Sequence, residues 1–592
     1  MSIIITWLVN VTRAIRNGWR RLLRRRVDYV RLDATGALPE FVAPLRWWQR
    51  RFLGARQPAS LQGLRRAFER VAADQRAAGV LLKIDGLSAG WATLQSLRDE
   101  IGRLRRSGKR VVAYLVTPDL RGYYAACAAD EILVPPAAFL TIVGLRSEIQ
   151  FLKDALAKVG LAAEVEAVSP YKSAGEQFVR SDISPENRQQ LERLLDGRFA
   201  EVVRAIGAAR GLDDDAVRAA IDAAPLSAPA ARERGLVDGL CYEDELAAWL
   251  GLPAAERAEG MEKQIEERLP ASNDSRRPLS AISAPSAAKK EAVILDWGAA
   301  RKVLRLPPAR RPRGLVAVVP VEGAIVAGHS RSLPLPIPLL GGAQAGAASV
   351  AQALRQVERN RRVAAVVLYV NSPGGDAFAS DLIWREVLRV RRQKPVVVAM
   401  GDVAASGGYY VAAPASAIVA QPGTLTGSIG VVSLRPIASG LLERAGVNTV
   451  VISRGARSGL LSIVEPPSED ERQAWRDLIF TSYHDFQRRV REGRDMTEQQ
   501  LDPIAGGRVW MGAEALGLGL VDQLGGLPEA VLRAQELADL PRDRSAPLLL
   551  ARGGRAELPP RPFPASSLLD LWPLLEEALR PRILALMPFD GI

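Results

Sequence analysis

The chain has 592 residues, 48% of them apolar and 24% charged, which supports several packed domains and excludes disorder, collagen and coiled coil as descriptions of the whole. Its 79 basic and 66 acidic residues leave a net charge of +13, and only ten of the basic residues are lysines. Two cysteines, Cys127 and Cys241, cannot form a disulfide framework, and two histidines, His329 and His484, are all that any histidine triad or metal centre could draw on. No spacing suggests a metal or cofactor, and none is expected.

From the amino terminus, residues 1–12 carry no charged side chain, and Arg13, Arg16, Arg20, Arg21, Arg24, Arg25, Arg26 and Arg31 follow. The apolar run is shorter than the ~20 residues that span a bilayer, and its charges follow the apolar stretch, the reverse of a secretory signal. Ile4, Leu8, Val11, Ile15, Trp19 and Leu22 recur at helical spacing. Residues 1–29 are therefore expected to form a basic amphipathic helix lying on a membrane surface. No nucleic-acid motif accompanies the charge, and no nucleic-acid partner is expected.

An internal repeat organises the rest. GYYAACAADEILVPP from Gly122 aligns with GYYVAAPASAIVAQP from Gly408, an offset of 286 that also relates Gly144 to Gly430 and Gly160 to Gly446. GLVDGL at Gly235 pairs with GLVDQL at Gly519 after a shift of two. So long a period marks a duplicated domain, not a solenoid. The copies are placed at 30–250 and 313–545, with a linker at 251–312, partly Ser/Pro/Ala-rich, and a tail at 546–592. In each copy short apolar runs alternate with amphipathic stretches, as in VAAVVLYVN (363–371), SDLIWREVLRVRRQ (380–393) and PVVVAMG (395–401). This pattern predicts an α/β fold with largely parallel sheets covered by helices on both faces.

Three glycine-bearing turns follow predicted strands in the second copy: Asn371-Ser372-Pro373-Gly374-Gly375, Ala405-Ser406-Gly407-Gly408 and Thr426-Gly427-Ser428-Ile429-Gly430. Such turns can present a serine hydroxyl beside backbone N–H groups that hold an oxyanion. The motifs NSPGGD, MGDVAASGGYYVA, TLTGSIGVV and RVWMGAEALGLGLVDQLGG, with SPYKSAGEQFVRSDIS in the first copy, resemble the protease IV (signal peptide peptidase A) family of serine proteases, in its duplicated form, over residues 30–540. The resemblance implies tandem Clp protease/crotonase-like domains of ββα units and a Ser/Lys dyad. It implies Ser406 as nucleophile, Lys172 as general base and Ser428 as the group orienting the lysine. The N–H of Gly407, with that of Gly374 or Gly375, is the implied oxyanion hole.

The repeat divides these parts between the copies. The counterpart of Ser406 is Leu120, that of Lys172 is Ser458, and no lysine follows Lys394. One site is therefore expected to draw on both copies. A lysine near its usual pKa of ~10.4 cannot accept a proton at neutral pH, so Lys172 is expected to be buried. His329 in a loop, His484 on a helix with Asp485 turned elsewhere, and a buried Cys127 fit catalysis poorly. So does Asp376 beside the glycine turn, with no histidine to orient.

The expected function is a serine endopeptidase cleaving short or unfolded hydrophobic peptides, such as released signal peptides, through an acyl-enzyme. The alternatives are a crotonase-fold enzyme of acyl-CoA type and a non-catalytic membrane scaffold. The resemblance implies a homo-oligomer, a tetramer, at a bacterial inner membrane. The short amphipathic segment, in place of the anchor usual in duplicated members, points to peripheral or cytoplasmic placement instead. The apolar insert at 328–346, with Leu333, Leu335, Ile337, Leu339 and Leu340, is expected to face lipid, line a substrate entry or pack on its own domain.

Overall fold

The computed structural model describes residues 3–22, 26–42, 58–252, 291–308, 313–333, 342–554 and 582–586. The chain divides into two compact units, residues 1–144 with 199–311, and residues 145–198 with 312–592.

The first unit holds a six-stranded, wholly parallel sheet. Its order is Gly239–Leu240, Glu131–Val134, Arg110–Leu115, Gly79–Leu87, Tyr29–Gly36, Ile294–Asp296. The second repeats it with Gln523–Leu524, Ala417–Ala420, Val396–Ala405, Val363–Ser372, Leu315–Glu322 and Leu548–Leu550, again parallel. Val363–Ser372 and Val396–Ala405 are buried along nearly their whole length, as parallel strands covered on both faces require. The edge strands Ile294–Asp296 and Leu548–Leu550 fall in the stretches read as linker and tail, so each repeated sheet reaches further along the chain than its motifs do.

Polar contacts inside the two cores repeat as well. The hydroxyl of Tyr123 donates to the Leu236 carbonyl at 2.7 Å, and that of Tyr409 to the Leu520 carbonyl at 3.0 Å. Arg210 grips Asp238 with two nitrogens, as Arg494 grips Asp522. Lys109 donates to the carbonyls of Asp74 and Ala77, and Lys394 to those of Val357 and Asn360, closing the ends of corresponding helices.

The second unit carries an additional seven-stranded sheet. Its order is Arg331–Leu333, Gly342–Gly346, Ala324–Val326, Gly374–Asp376, Arg582–Leu586, Val432–Ile437, Ala162–Ala167. The last strand comes from the first sequence repeat and pairs antiparallel over six residues, Ala167↔Val432 to Ala162↔Ile437. Arg435 and Arg472 both pair with Glu164, and Arg476 with Glu166, fixing that strand to its neighbour and to the helix Glu469–Arg494. Residues 145–198 thus belong to the compact unit of the second repeat. Of the apolar insert at 328–346, residues 334–341 lie outside the described residues.

The amino-terminal helix Ile3–Leu22 belongs to the first unit and docks by its polar side. Arg13 donates to the Pro307 carbonyl at 2.7 Å and Arg20 to that of Leu304 at 2.6 Å, while Asn17 exchanges two hydrogen bonds with Leu306. At 100° per residue these side chains lie opposite Leu8, Ile15 and Trp19, which are 49%, 58% and 65% exposed. A helix packed for solubility buries its apolar stripe; this one turns it outward. No helix among the described residues is long and apolar enough to cross a membrane.

Removing the Tyr409 hydroxyl leaves a buried carbonyl without its donor, a loss of about 1–3 kcal/mol. Tyr409→Phe should therefore lower the urea midpoint of the protein, and Tyr123→Phe should do the same. An unchanged midpoint in both variants would show that these buried bonds contribute nothing.

Candidate active site

Val396–Ala405 ends at Ser406, and the helix Gly407–Ala412 begins immediately after it. Ser406 takes φ 54° and ψ −117°, a conformation costly for a residue with a Cβ. It is held there by its own N–H donating to the Gly427 carbonyl and by its carbonyl accepting from the Tyr410 N–H, both at 2.8 Å. Gly408 permits the turn to pack closely: a Cβ there would lie 2.6 Å from the Ser372 carbonyl oxygen. The hydroxyl is thereby presented at a strand end, beside the first N–H of a helix, which has no acceptor within the helix itself.

Lys172 reaches this hydroxyl from the segment that follows the strand Ala162–Ala167. Its Nζ stands 2.7 Å from Ser406 Oγ, 2.9 Å from Ser428 Oγ and 2.9 Å from the Ser428 carbonyl oxygen. A neutral amine has two hydrogens and one lone pair. Two hydrogens toward the two Ser428 oxygens leave the lone pair for the proton of Ser406. Lys172 is 1% exposed, and Ser406 and Ser428 are fully buried. Burial alone drives the lysine pKa well below its usual 10.5, because desolvation penalises the ammonium form. Lys172, Ser406 and Ser428, which the sequence drew from two repeats, all lie within the second compact unit.

Several more residues build this pocket, and Gly507, Ser169 and Arg508 among them were not singled out by sequence. A Cβ on Gly507 would lie 2.7 Å from Lys172 Cβ, and one on Gly430 would lie 3.3 Å from Lys172 Cδ, so both glycines make room for the lysine stem. Ser169 donates to the Gly506 carbonyl, and the Lys172 N–H donates to the Ser169 carbonyl at 3.0 Å. The Arg508 guanidinium lies 3.6 Å from the ring centroid of Tyr171, a cation–π contact holding the neighbouring residue. Ser428, also at positive φ (51°), donates its N–H to the Arg508 carbonyl at 2.6 Å. The paired glycines at 506 and 507 were the available signal.

Gly374 and Gly375 form the strand Gly374–Asp376, with φ of 106° and 155°. The Gly374 N–H donates to Ser372 Oγ at 3.2 Å. A Cβ at Gly375 would meet the Ile325 carbonyl oxygen at 2.0 Å, so only glycine fits. Asp376 caps the helix Ala377–Arg391 through the Ala379 N–H at 2.7 Å. His329 stands 3.4 Å from Ser349 Oγ, and His484 is exposed on its helix. Burial pushes the Cys127 thiol up to about 11, which makes it a poor nucleophile. No cluster of three or more potential metal ligands occurs among the described residues.

Comparison with known proteins shows the family of the chain. The family model for peptidase family S49 matches twice, at residues 103–255 and 389–541, and that for Clp protease matches residues 341–421. The chain is 34% identical over 491 residues to a chloroplastic serine protease SPPA of Arabidopsis thaliana, covering 83% of this chain and 67% of the relative. It is 30% identical over 483 residues to Protease 4 of Haemophilus influenzae, covering 81% and 73% respectively. Against Protease 4 of Salmonella typhi the figure is 29% over 486 residues, covering 82% and 73%. Two matched copies and kinship along most of its length place the chain in peptidase family S49, as an SppA-type serine peptidase.

Proposed function

We propose that the protein hydrolyses short or unfolded hydrophobic peptides, released signal peptides among them, through an acyl-enzyme formed on Ser406. The observation that carries this reading is the fully buried contact of Lys172 Nζ with Ser406 Oγ at 2.7 Å. Neutral Lys172 takes the proton of Ser406 as Oγ attacks the peptide carbonyl carbon. The resulting oxyanion is held by the N–H of Gly407 and one from the Gly374–Gly375 turn. The lysine ammonium then protonates the leaving amine, and the carbon–nitrogen bond breaks. Water, deprotonated by the same lysine, releases the peptide acid from Ser406. Ser428 keeps the amine on the line to Ser406 throughout.

The amino-terminal helix fits peripheral attachment to a membrane, where such peptides are left. Its outward stripe of Leu8, Ile15 and Trp19 enters the interface, and the exposed Arg16 meets anionic headgroups. Assembly into a homo-oligomer, the tetramer implied by the resemblance, is supported by the exposed apolar run of Val447, Val450, Val451 and Ile452.

Ser406→Ala should lose about four orders of magnitude or more in kcat/KM on a soluble fluorogenic peptide while keeping the wild-type unfolding curve. Lys172→Arg should be as inactive, since a guanidinium stays protonated. Activity within tenfold of wild type in either variant removes that residue from the mechanism.

The pH dependence follows from the buried lysine. Because the base must be neutral, kcat/KM should rise as Lys172 loses its proton and level off well below pH 10.5. Stability carries the same sign. Between the lowered pKa and 10.5 the unfolded chain binds more protons than the folded one, so wild-type stability gains from rising pH. Lys172→Met lacks this gain, and the free-energy difference between the two proteins should shift in favour of wild type from pH 7 to pH 9. A pH-independent difference would contradict the burial of a neutral amine.

Membrane attachment is tested with the outward stripe alone, because Arg13, Asn17 and Arg20 support the chain at 304–307. A Leu8→Glu/Ile15→Glu/Trp19→Glu protein should lose binding to anionic liposomes in a flotation assay and retain hydrolysis of soluble peptides. Undiminished flotation would place the membrane contact elsewhere.

A further inference from the structure

The strand Arg582–Leu586 stands apart from the rest of the second unit's extra sheet. It lies between Gly374–Asp376 and Val432–Ile437, antiparallel to both. On one side Leu584 faces Asp376, Ala585 faces Gly375 and Leu586 faces Gly374. On the other, Arg582 faces Leu434, Ile583 faces Ser433 and Leu584 faces Val432. Without this strand the two neighbours would be open edges, separated by two strand spacings of about 4.8 Å each. That gap is the width of one extended peptide, with backbone groups waiting on both sides.

The position of the gap is as telling as its width. One wall is the Gly374–Asp376 strand, which carries the glycines proposed for the oxyanion site. The other, Val432–Ile437, follows within a few residues of Ser428 and is braced by the strand that leads to Lys172. The inserted strand also packs against the helix Gly407–Ala412, which opens at Ser406. Its sequence, Arg582-Ile583-Leu584-Ala585-Leu586, is apolar after the first residue. An extended segment, apolar after its first residue, has in that slot the form of a peptide awaiting hydrolysis.

We infer that the carboxy-terminal segment around Arg582–Leu586 is a tethered occupant of the peptide-binding slot, added as a β-strand and competing with substrate. The inference rests on the Ser406/Lys172 reading for its consequence and on the strand pairing alone for the occupancy. Residues 555–581 tether it to Gly554, the end of the last described stretch before the tail. An occupant on the same chain as its slot acts at an effective concentration on the order of 1 mM. A peptide of Kd ~0.1 mM would then fill the slot about nine-tenths of the time and raise the apparent KM for substrate roughly tenfold.

The test compares three proteins: the full chain, the chain ended at Gly554, and the full chain with Leu584→Pro. Proline removes the N–H of the residue that pairs with both walls while leaving the length unchanged. A fluorescent synthetic peptide of residues 578–592 is the probe, read by anisotropy on Ser406→Ala backgrounds so that no catalysis is involved. The inference predicts at least fivefold tighter binding to the shortened and Leu584→Pro chains than to the full chain. In the active backgrounds it predicts a KM for a soluble peptide lowered about tenfold, with kcat changed less than twofold. Equal probe affinity for all three chains, or no binding to any, would overturn it. Tight probe binding to the two altered chains with no hydrolysis by any active form would uphold the occupancy and count instead against the Ser406/Lys172 reading. Leu584→Pro keeps the test decisive should the shortened chain fail to fold.

Discussion

A primary amine buried against two hydroxyls and one carbonyl, its pKa lowered by desolvation alone, is the constraint on which the rest of this structure depends. In water the ammonium would be strongly favoured, and the group would be useless as a base. Folding removes the water, and the three oxygens left around Nζ suit the neutral form: two accept its hydrogens and one offers a proton to its lone pair. The glycines at 430 and 507 admit the stem, and Ser169, Tyr171 and Arg508 fix the loop that bears it. The same burial that makes the lysine a base withdraws stability at neutral pH, so the surrounding core must supply the difference.

The duplication explains how the lysine can be placed so exactingly. Each copy keeps the same parallel sheet and the same internal pins, from Tyr123 and Tyr409 to the Arg210–Asp238 and Arg494–Asp522 pairs. On this twice-built scaffold the serine turn stands in one copy, where the other has Leu120, and the lysine in the other, where its counterpart is Ser458. Residues 145–198 leave the first repeat and join the second unit through a six-residue antiparallel ladder and the Glu164–Arg435 and Glu164–Arg472 pairs. Lys172, Ser406 and Ser428, divided between the copies in sequence, thereby lie in one compact unit.

What could be read from the sequence follows this physics. The α/β class was visible because buried parallel strands are near-continuous apolar runs, as in VAAVVLYVN. Ser406, Lys172 and Ser428, whose side chains meet in the structure, were singled out because the resemblance placed them in distinctive short motifs. Gly507 was not, since its role is to leave space for a side chain 335 positions earlier, as the numbering of Lys172 shows. The edge strands Ile294–Asp296 and Leu548–Leu550 were hidden because three residues of strand carry no periodic signal of their own. Arg582–Leu586 was read only as part of the tail, since its partners, at Gly374–Asp376 and Val432–Ile437, are chosen by a gap in a sheet that no local pattern announces. The amino-terminal helix was legible as amphipathic, but only its contacts at 304–307 reveal that the polar side faces the protein.

The central claim is that burial lowers the Lys172 pKa well below 10.5, and its titration can be observed directly. The chain has only ten lysines, so uniform carbon-13 labelling of lysine gives a tractable set of side-chain Cε resonances to follow from pH 5 to pH 11. One resonance, absent from the spectrum of Lys172→Met, should titrate with a midpoint well below 10.5. A Lys172 resonance that titrates near 10.5 would contradict the account.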